Sequence, residues 1–349
     1  MKIAQIAPIW YAIPPKGYGG IEYVVHCITR GLVEKGHDVT LFASGDSETK
    51  AKLISSYDVA PSELIGQTFP DLVHVMQAYL KSDEFDIVHD HSGLIGPVIG
   101  AFADVPVIHT LHGPATADAQ SFYGKIKDRI YFNGISDFQR ERFGDLNFVG
   151  TIYNGIEIDK YEFNGEKEDF MFFLGRMNPE KGAHVALEVA KKTGKKLVMV
   201  SKMTEPHEKA YFEKEVKHLL APNVELMGEV DTETKIELFK KASCFLFPIQ
   251  WPEPFGLVMA EAMSCGTPVL AMNNGSVPEI IAHGKTGFIC DTTNDMVEAL
   301  KKVDQIRPAD CRRHVEENFS TARMVERYVE AYTRILEKEG KSGKAAKVA

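Results

Sequence analysis

The stretch "DFMFFLGR", residues 169 to 176, carries five apolar residues in succession and closes on a glycine and an arginine. An apolar run that short reads as a strand hidden on both faces, the strand type of a parallel sheet with helices on either side. The same grammar repeats downstream in "KKLVMVS" (195 to 201), "NVELMGEV" (223 to 230), "CFLFPIQ" (244 to 250), "TPVLAMN" (267 to 273) and "TGFICD" (286 to 291), with helical patterns between them. Upstream lies an earlier series: "KIAQIAPI" (2 to 9), "DVTLFAS" (38 to 44), "FDIVHDH" (85 to 91), "VPVIHTLHG" (105 to 113), "FNGIS" (132 to 136) and "FVGTIYNG" (148 to 155). Residue 169 is thus a restart. The chain reads as α/β, with two Rossmann-like doubly wound parallel-sheet domains, 1–163 and 164–319, joined near the polar "DKYEFNGEKED" (159 to 169). Ligands of such sheets bind beyond the carboxyl ends of the strands, so two facing sheets imply an inter-domain cleft.

The bulk numbers agree with that count. A chain of 349 residues, 44% hydrophobic and 26% charged, has the length of two ordinary soluble domains. Residues 1 to 165 hold 13 Lys and Arg against 21 Asp and Glu, a balance of -8 out of the total of -9. Nucleic acid is a poor partner for that half, because phosphate binding draws on clustered cations. A broad basic face for anionic lipid is equally hard to build, although a small local patch for peripheral membrane contact stays open. The N-terminal "MKIAQIAPIWYAIPP" is broken by prolines before it reaches the length of a signal-peptide core, and no apolar run reaches a membrane span, so the cytoplasm is the expected location. Five widely spaced cysteines read as reduced and buried, and the basic "KEGKSGKAAKV" near the C-terminus reads as a frayed end.

Four motifs carry the chemistry. In "LGRMNPEKG" (174 to 182) a strand ends at Gly175-Arg176 and a helix opens near Glu180-Lys181, which aims Arg176 and Lys181 at one crevice suited to a diphosphate. On their own the two residues read equally well as solvated surface cations. In "EPFGLVMAEAMSCGTPV" (253 to 269) a helix starting near Phe255 turns the free N–H groups of Gly256, Leu257 and Val258 toward the same edge. Glu253 precedes that helix and Glu261 lies about two turns inside it. A gap of up to roughly 12 Å is long for a paired-carboxylate hydrolase and suits two grips on one extended ligand. For either glutamate alone, an exposed helical charge is the plainer reading.

The other two motifs lie in the first half. "GYGGIEYVV" (17 to 25) is a glycine turn between the first strand and its helix, without the G-x-G-x-x-G spacing of a dinucleotide site. Its Gly20 offers a backbone N–H to an anion or merely closes a turn. Of His109 and His112 in "HTLHG", one at most faces a ligand, and His112 beside the Gly113-Pro114 turn is the candidate. "HDH" (89 to 91) lacks an identifiable third metal ligand, so no metal site is assigned.

These residues carry a resemblance. "YGGIEYVVHCITRGLVEKGHDVTLFASGDS" (18 to 47), "NGIEIDKY" (154 to 161), "LGRMNPEKG" and the glutamate pair of 253 to 269 together resemble the retaining GT-B glycosyltransferases of glycosyltransferase family 4 over nearly the whole length. The resemblance implies a sugar transferase that takes a nucleotide-diphosphate sugar on its second domain and a small-molecule, glycan or lipid-linked acceptor on its first. Arg176 and Lys181 would hold the diphosphate, Glu253 the donor sugar, Glu261 the ribose, and the amides of Gly256, Leu257 and Val258 the phosphate and sugar. Gly20 would approach from the other side, and His112 would lie near the transferred sugar. It also implies a C-terminal helix, about 320–340, packing back on the first domain.

Such enzymes stabilise the departing diphosphate with fixed cations and N–H dipoles. Neither a metal nor any other cofactor is therefore expected. Retention by front-face attack is favoured over an enzyme nucleophile, because no convincing nucleophile is in sight. A sugar-nucleotide epimerase or a non-catalytic nucleotide-sugar binding protein remains the alternative. Ser201 stands where relatives often have glycine, Tyr23 where a basic residue is frequent, and Thr321 where tryptophan is common.

Overall fold

The computed structural model describes residues 1–17 and 19–340. Tyr18 of the glycine turn and the tail from residue 341 onward, which holds most of the run expected to fray, lie outside the described residues. The chain divides into two compact units, Met1–Gly155 together with the C-terminal helix from Thr321, and Ile156–Ser320.

In the first unit seven strands, β1 (Lys2–Ile6), β2 (Asp38–Phe42), β3 (Lys52–Ile54), β4 (Ile87–Asp90), β5 (Val107–Leu111), β6 (Tyr131–Gly134) and β7 (Phe148–Thr151), pair in the order β3-β2-β1-β4-β5-β6-β7. Every pairing is parallel. β4 and β5 are buried along their whole length, as near-continuous apolar strands must be when helices cover both faces. The sequence reading misses β3, a three-residue edge strand with no fully buried residue and so no apolar run to betray it.

Helices α1 (Gly20–Glu34), α2 (Thr68–Tyr79) and α3 (Ile95–Gly100) join these strands. The C-terminal helix Thr321–Lys338 buries Met324, Val325, Tyr328, Ala331, Tyr332, Ile335 and Leu336, one stripe at helical spacing, and packs on α1. Gly31 is the contact point: a Cβ there would stand 2.6 Å from Val325 Cγ2, so only glycine lets the two helices approach this closely.

The second unit repeats the plan with β8 (Glu168–Arg176), β9 (Lys196–Lys202), β10 (Val224–Met227), β11 (Ala242–Phe247), β12 (Val269–Met272) and β13 (Gly287–Cys290) in the order β10-β9-β8-β11-β12-β13, all parallel. In both sheets the strand order reverses beside the first strand, at β1/β4 and at β8/β11. The loops leaving those strands diverge there and open a crevice at the carboxyl edge.

The segment from Ile156 belongs to the second unit, whereas the sequence reading sets the boundary at 163. Arg312 accounts for the difference, because its guanidinium donates to the carbonyls of Tyr161 at 2.6 Å and Ser264 at 3.0 Å and fastens that segment down. All five cysteines are free and buried. Burial pushes the thiols of Cys244, Cys265, Cys290 and Cys311 up to about 12. Among the described residues no helix is long and apolar enough to cross a membrane.

Candidate functional site

At the switch point of the second unit, the loops after β8 and β11 are laced together. Asn178 Oδ1 accepts the Lys181 N–H at 3.2 Å, closing a single 3-10 turn over Pro179–Lys181. Gly182 follows in the left-handed conformation at φ 73, where a Cβ would sit 2.0 Å from the Pro248 carbonyl oxygen. The Gln250 N–H donates to the Glu180 carbonyl at 2.7 Å. Helix α4 (Ala183–Thr193) therefore begins two residues after Lys181, so Lys181 stands on the connecting turn and not on the helix itself.

This lacing brings Lys181 to Glu253. The ammonium donates to Glu253 Oε2 at 2.7 Å, and the same oxygen accepts the Trp251 indole N–H at 2.9 Å. The Lys181 ammonium also lies 5.4 Å from the centre of a Trp251 ring. Behind Glu253, Ser276 donates its backbone N–H to the Glu253 carbonyl at 2.9 Å, and Gly275, at φ 65, leaves room where a Cβ would strike the Glu253 backbone at 2.3 Å. Both the side chain and the main chain of Glu253 are thus fixed. Arg176 ends β8, half-buried, in register with Lys202 on β9. Trp251 is absent from the sequence reading, and the only signal for it is its place two residues before Glu253.

Helix α5 (Leu257–Ser264) starts two residues later than the sequence suggests. Gly256 is its N-cap, left-handed at φ 80, and no side chain caps the first turn. The N–H groups of Leu257 and Val258 belong to that first turn, which is where an anion is favoured. Glu261 is buried one turn further on and takes an ion pair from Lys235 at 3.0 Å, and the Lys235 ammonium in turn lies 5.8 Å from the centre of the Tyr161 ring. The two glutamates therefore hold separate lysines. Along the carboxyl ends of β8, β9 and β10 runs a groove of about 360 Å³ lined by Met177, Ser201, Lys202, Met203, Thr204, Leu226, Met227, Gly228 and Glu229. Ser201 turns its hydroxyl away to the Gly175 carbonyl at 2.8 Å.

The first unit has a different interior at the corresponding edge. Gly20 opens α1 and is exposed, with Gly19 as N-cap. His112, just past β5, shares a 2.9 Å hydrogen bond with His91, whose other ring nitrogen meets Gln5 Oε1 at 3.2 Å. His89 bonds the Tyr332 hydroxyl at 2.6 Å and Thr110 Oγ1 at 2.8 Å. His109 faces the other way, toward Asp90 at 3.2 Å and Tyr123. Burial, with His109 adding to it, pushes the His112 imidazole down to about 3, and burial also drives His89 and His91 well below their ordinary range. Burial therefore keeps the His112 imidazole neutral near pH 7. Glu22, to which the sequence reading gives no role, is buried beside Gly19, and burial raises its carboxyl to about 7.

The family model for glycosyl transferases group 1 matches residues 156–318, and that for glycosyltransferase family 4 matches residues 18–160. The chain is a GT-B glycosyltransferase of the group 1 family. This glycosyltransferase is 24% identical over 342 residues to a glycogen synthase of Mycobacterium tuberculosis, covering 82% of each chain. It is likewise 24% identical over 350 residues to a phosphatidyl-myo-inositol mannosyltransferase of Mycolicibacterium smegmatis, covering 88% of this chain and 86% of the relative. Among solved structures it is similar to AviGT4, a glycosyltransferase involved in avilamycin A biosynthesis, with TM-score 0.73, 26% identity, and coverage of 97% and 98%.

Proposed function

We propose that this glycosyltransferase is a retaining, metal-independent enzyme that moves a sugar from a nucleotide-diphosphate sugar to an acceptor hydroxyl. The observation that carries the reading is the Lys181–Glu253 pair at 2.7 Å, set beside a helix start whose first turn has no side-chain cap. In this reading the incoming diphosphate takes Lys181 from Glu253 and adds Arg176 and the amides of Gly256, Leu257 and Val258. Glu253, released from the ammonium but still held by Trp251, accepts hydroxyls of the donor sugar.

As the anomeric C–O bond breaks, the electron pair goes to the diphosphate, where fixed cations and dipoles stabilise it without reorganisation. The acceptor oxygen bonds to the anomeric carbon on the same face, and its proton passes to the departing diphosphate oxygen. Glu261 is assigned to the ribose, with Lys235 orienting it, and the methionine-lined groove to the flat nucleobase. We assign the acceptor side to the first unit, with Gly20 near the donor phosphate or acceptor and neutral His112 donating or accepting a hydrogen bond at the transferred sugar.

The test is a panel of uridine, guanosine and adenosine diphosphate sugars, read by release of nucleoside diphosphate with and without candidate acceptors and with and without a chelator. The expected result is acceptor-dependent release that the chelator leaves unchanged, and a product with the donor's anomeric configuration by NMR. A donor altered without any transfer product would identify an epimerase, and binding without turnover a non-catalytic protein. Inversion or chelator sensitivity would each refute the corresponding part of the proposal.

A further inference from the structure

Helix α2 is turned inside out. Its buried face includes Asp71 and His74 beside Val75, Ala78 and Tyr79, while Phe69, Val73 and Met76, with Leu80 at the C-cap, stand in the open. Those four positions follow a 4-3-4 spacing, the a/d seam along which one helix packs against another. Beside it, α3 does the same: Ile95 and Ile99 pack inward, and Leu94, Val98 and Phe102 face out. Gly100 locks the two helices together, since a Cβ there would lie 2.6 Å from the Tyr79 hydroxyl. Phe69 and Leu80 are each 79% exposed and Phe102 83%, and Ile65, 56% exposed, lies in the loop that leads into α2.

We infer that this double-helix face is the interface of a homodimer, with a second copy of the chain as its occupant. The seven side chains expose on the order of 800 Å², which is about what each partner contributes to a stable interface and more than the largest apolar patch of a typical monomer. A twofold axis through the face would pack α2 and α3 of one copy on those of the other as a four-helix layer, each stripe meeting its own equivalent. The local charge disfavours an anionic bilayer. Between residues 53 and 124 the sequence has a single cation, Lys81, against nine acidic residues, and Lys81 sits 3.5 Å from Glu84. Asp71 and Asp90 of that count are buried, but the exposed Glu63, Asp83, Glu84 and Asp104 at the helix ends form an acidic rim around the apolar centre, which gives self-association a signature. Raising the salt screens the rim and strengthens the dimer, whereas salt would weaken attachment to a basic partner.

The experiment is sedimentation equilibrium of the full chain at about 0.05 M and about 0.5 M NaCl, for the wild type, Phe69→Asp and Phe102→Asp. The expected result is a micromolar dimer that tightens with salt, and a dissociation constant raised roughly 100-fold or more in either variant, because each change is made twice across a twofold interface. Far-UV circular dichroism checks that both variants fold. All native cysteines are buried, so Met76→Cys supplies an exposed thiol, and its oxidation to a cross-linked dimer places the seam in the interface. A wild type that stays monomeric at about 100 μM would overturn the inference. So would a dimer indifferent to both substitutions, or a monomer that floats with phosphatidylcholine vesicles through the same residues.

Discussion

The two units place opposite solutions at equivalent points of one topology. At the β8/β11 switch point the side chains are charged and paired, Lys181 on Glu253 at 2.7 Å and Lys235 on buried Glu261 at 3.0 Å, with each lysine keeping about a fifth of its surface open. At the β1/β4 switch point Gln5, His89, His91, Thr110 and Tyr332 form a buried network of neutral groups. Charges at a strand edge can be traded for those of a ligand. A buried neutral network holds a shape instead, since each polar group left unpaired there costs about 1 to 3 kcal/mol. On the proposed function, the second unit trades its ion pairs for the charges of a ligand, whereas the first keeps its hydrogen bonds.

Removing a cation from the second unit should have the strongest consequence. Lys181→Ala or Arg176→Ala should lower turnover by roughly 10²-fold or more, the scale of losing one transition-state donor. Lys181→Ala leaves the largely covered Glu253 carboxylate with the Trp251 indole alone, so a modest drop in thermal stability should accompany it, and circular dichroism checks that each variant still folds. Near-normal steady-state rates in both variants would remove the proposed diphosphate role.

Acid should break the other side. The His112 imidazole titrates near 3 in the folded chain and at 6.5 in the unfolded one, so the unfolded state binds the extra proton as pH falls. Stability is therefore complete above 6.5 and lost below it, by about 2 kcal/mol from this residue at pH 5. His89 and His91 act in the same direction. Hydrogen exchange should show β4 and β5 losing protection between pH 7 and pH 5 before β9 and β11 do. Equal losses in both sheets would erase the contrast.

The same contrast explains what the sequence makes legible. Both sheets are readable because runs such as "VTLFA" (39 to 43) in the first and "FMFFL" (170 to 174) in the second need no context to be recognised as strands. The site of the second unit is nearly as local: Arg176, Lys181, Glu253 and Glu261 sit on two short motifs at adjacent strand ends. The neutral network is not local. Gln5, His89, Thr110 and Tyr332 are joined across up to 327 residues by a helix that returns from the end of the chain. No spacing announces such a meeting. The outward stripe of α2 is hidden for another reason, because "TFPDLVHVMQAY" has apolar residues on both faces and the pattern alone does not say which is covered.

Glu22 contributes a pH dependence of opposite sign. Its carboxyl keeps a proton up to about 7 in the folded chain but releases it at 4.5 when unfolded, so the folded state binds more protons between those values and stability declines as pH rises through them. Glu22→Gln should remove that slope, stabilise the protein by up to about 3 kcal/mol at pH 8, and leave the acid loss of the histidines more visible. Denaturant unfolding at pH 5 and pH 8 measures both. A variant no more stable than wild type at pH 8 would mean that the carboxyl is better solvated than its burial implies.

The smallest change tests whether the neutral network holds shape at all. Tyr332 gives its hydroxyl to His89 at 2.6 Å and receives Gln5 at 3.2 Å, both deep under the C-terminal helix. Tyr332→Phe keeps the ring and removes only these bonds, leaving His89 Nδ1 with Gln5 at 3.3 Å as its remaining partner. A cost of about 1 kcal/mol is expected, with the donor affinity of the second unit unchanged in a calorimetric titration with nucleoside diphosphate. If the substitution weakened that binding tenfold while stability held, the first unit's interior would be tuning the exchangeable site, and the division of labour between the two strand edges would have to be redrawn.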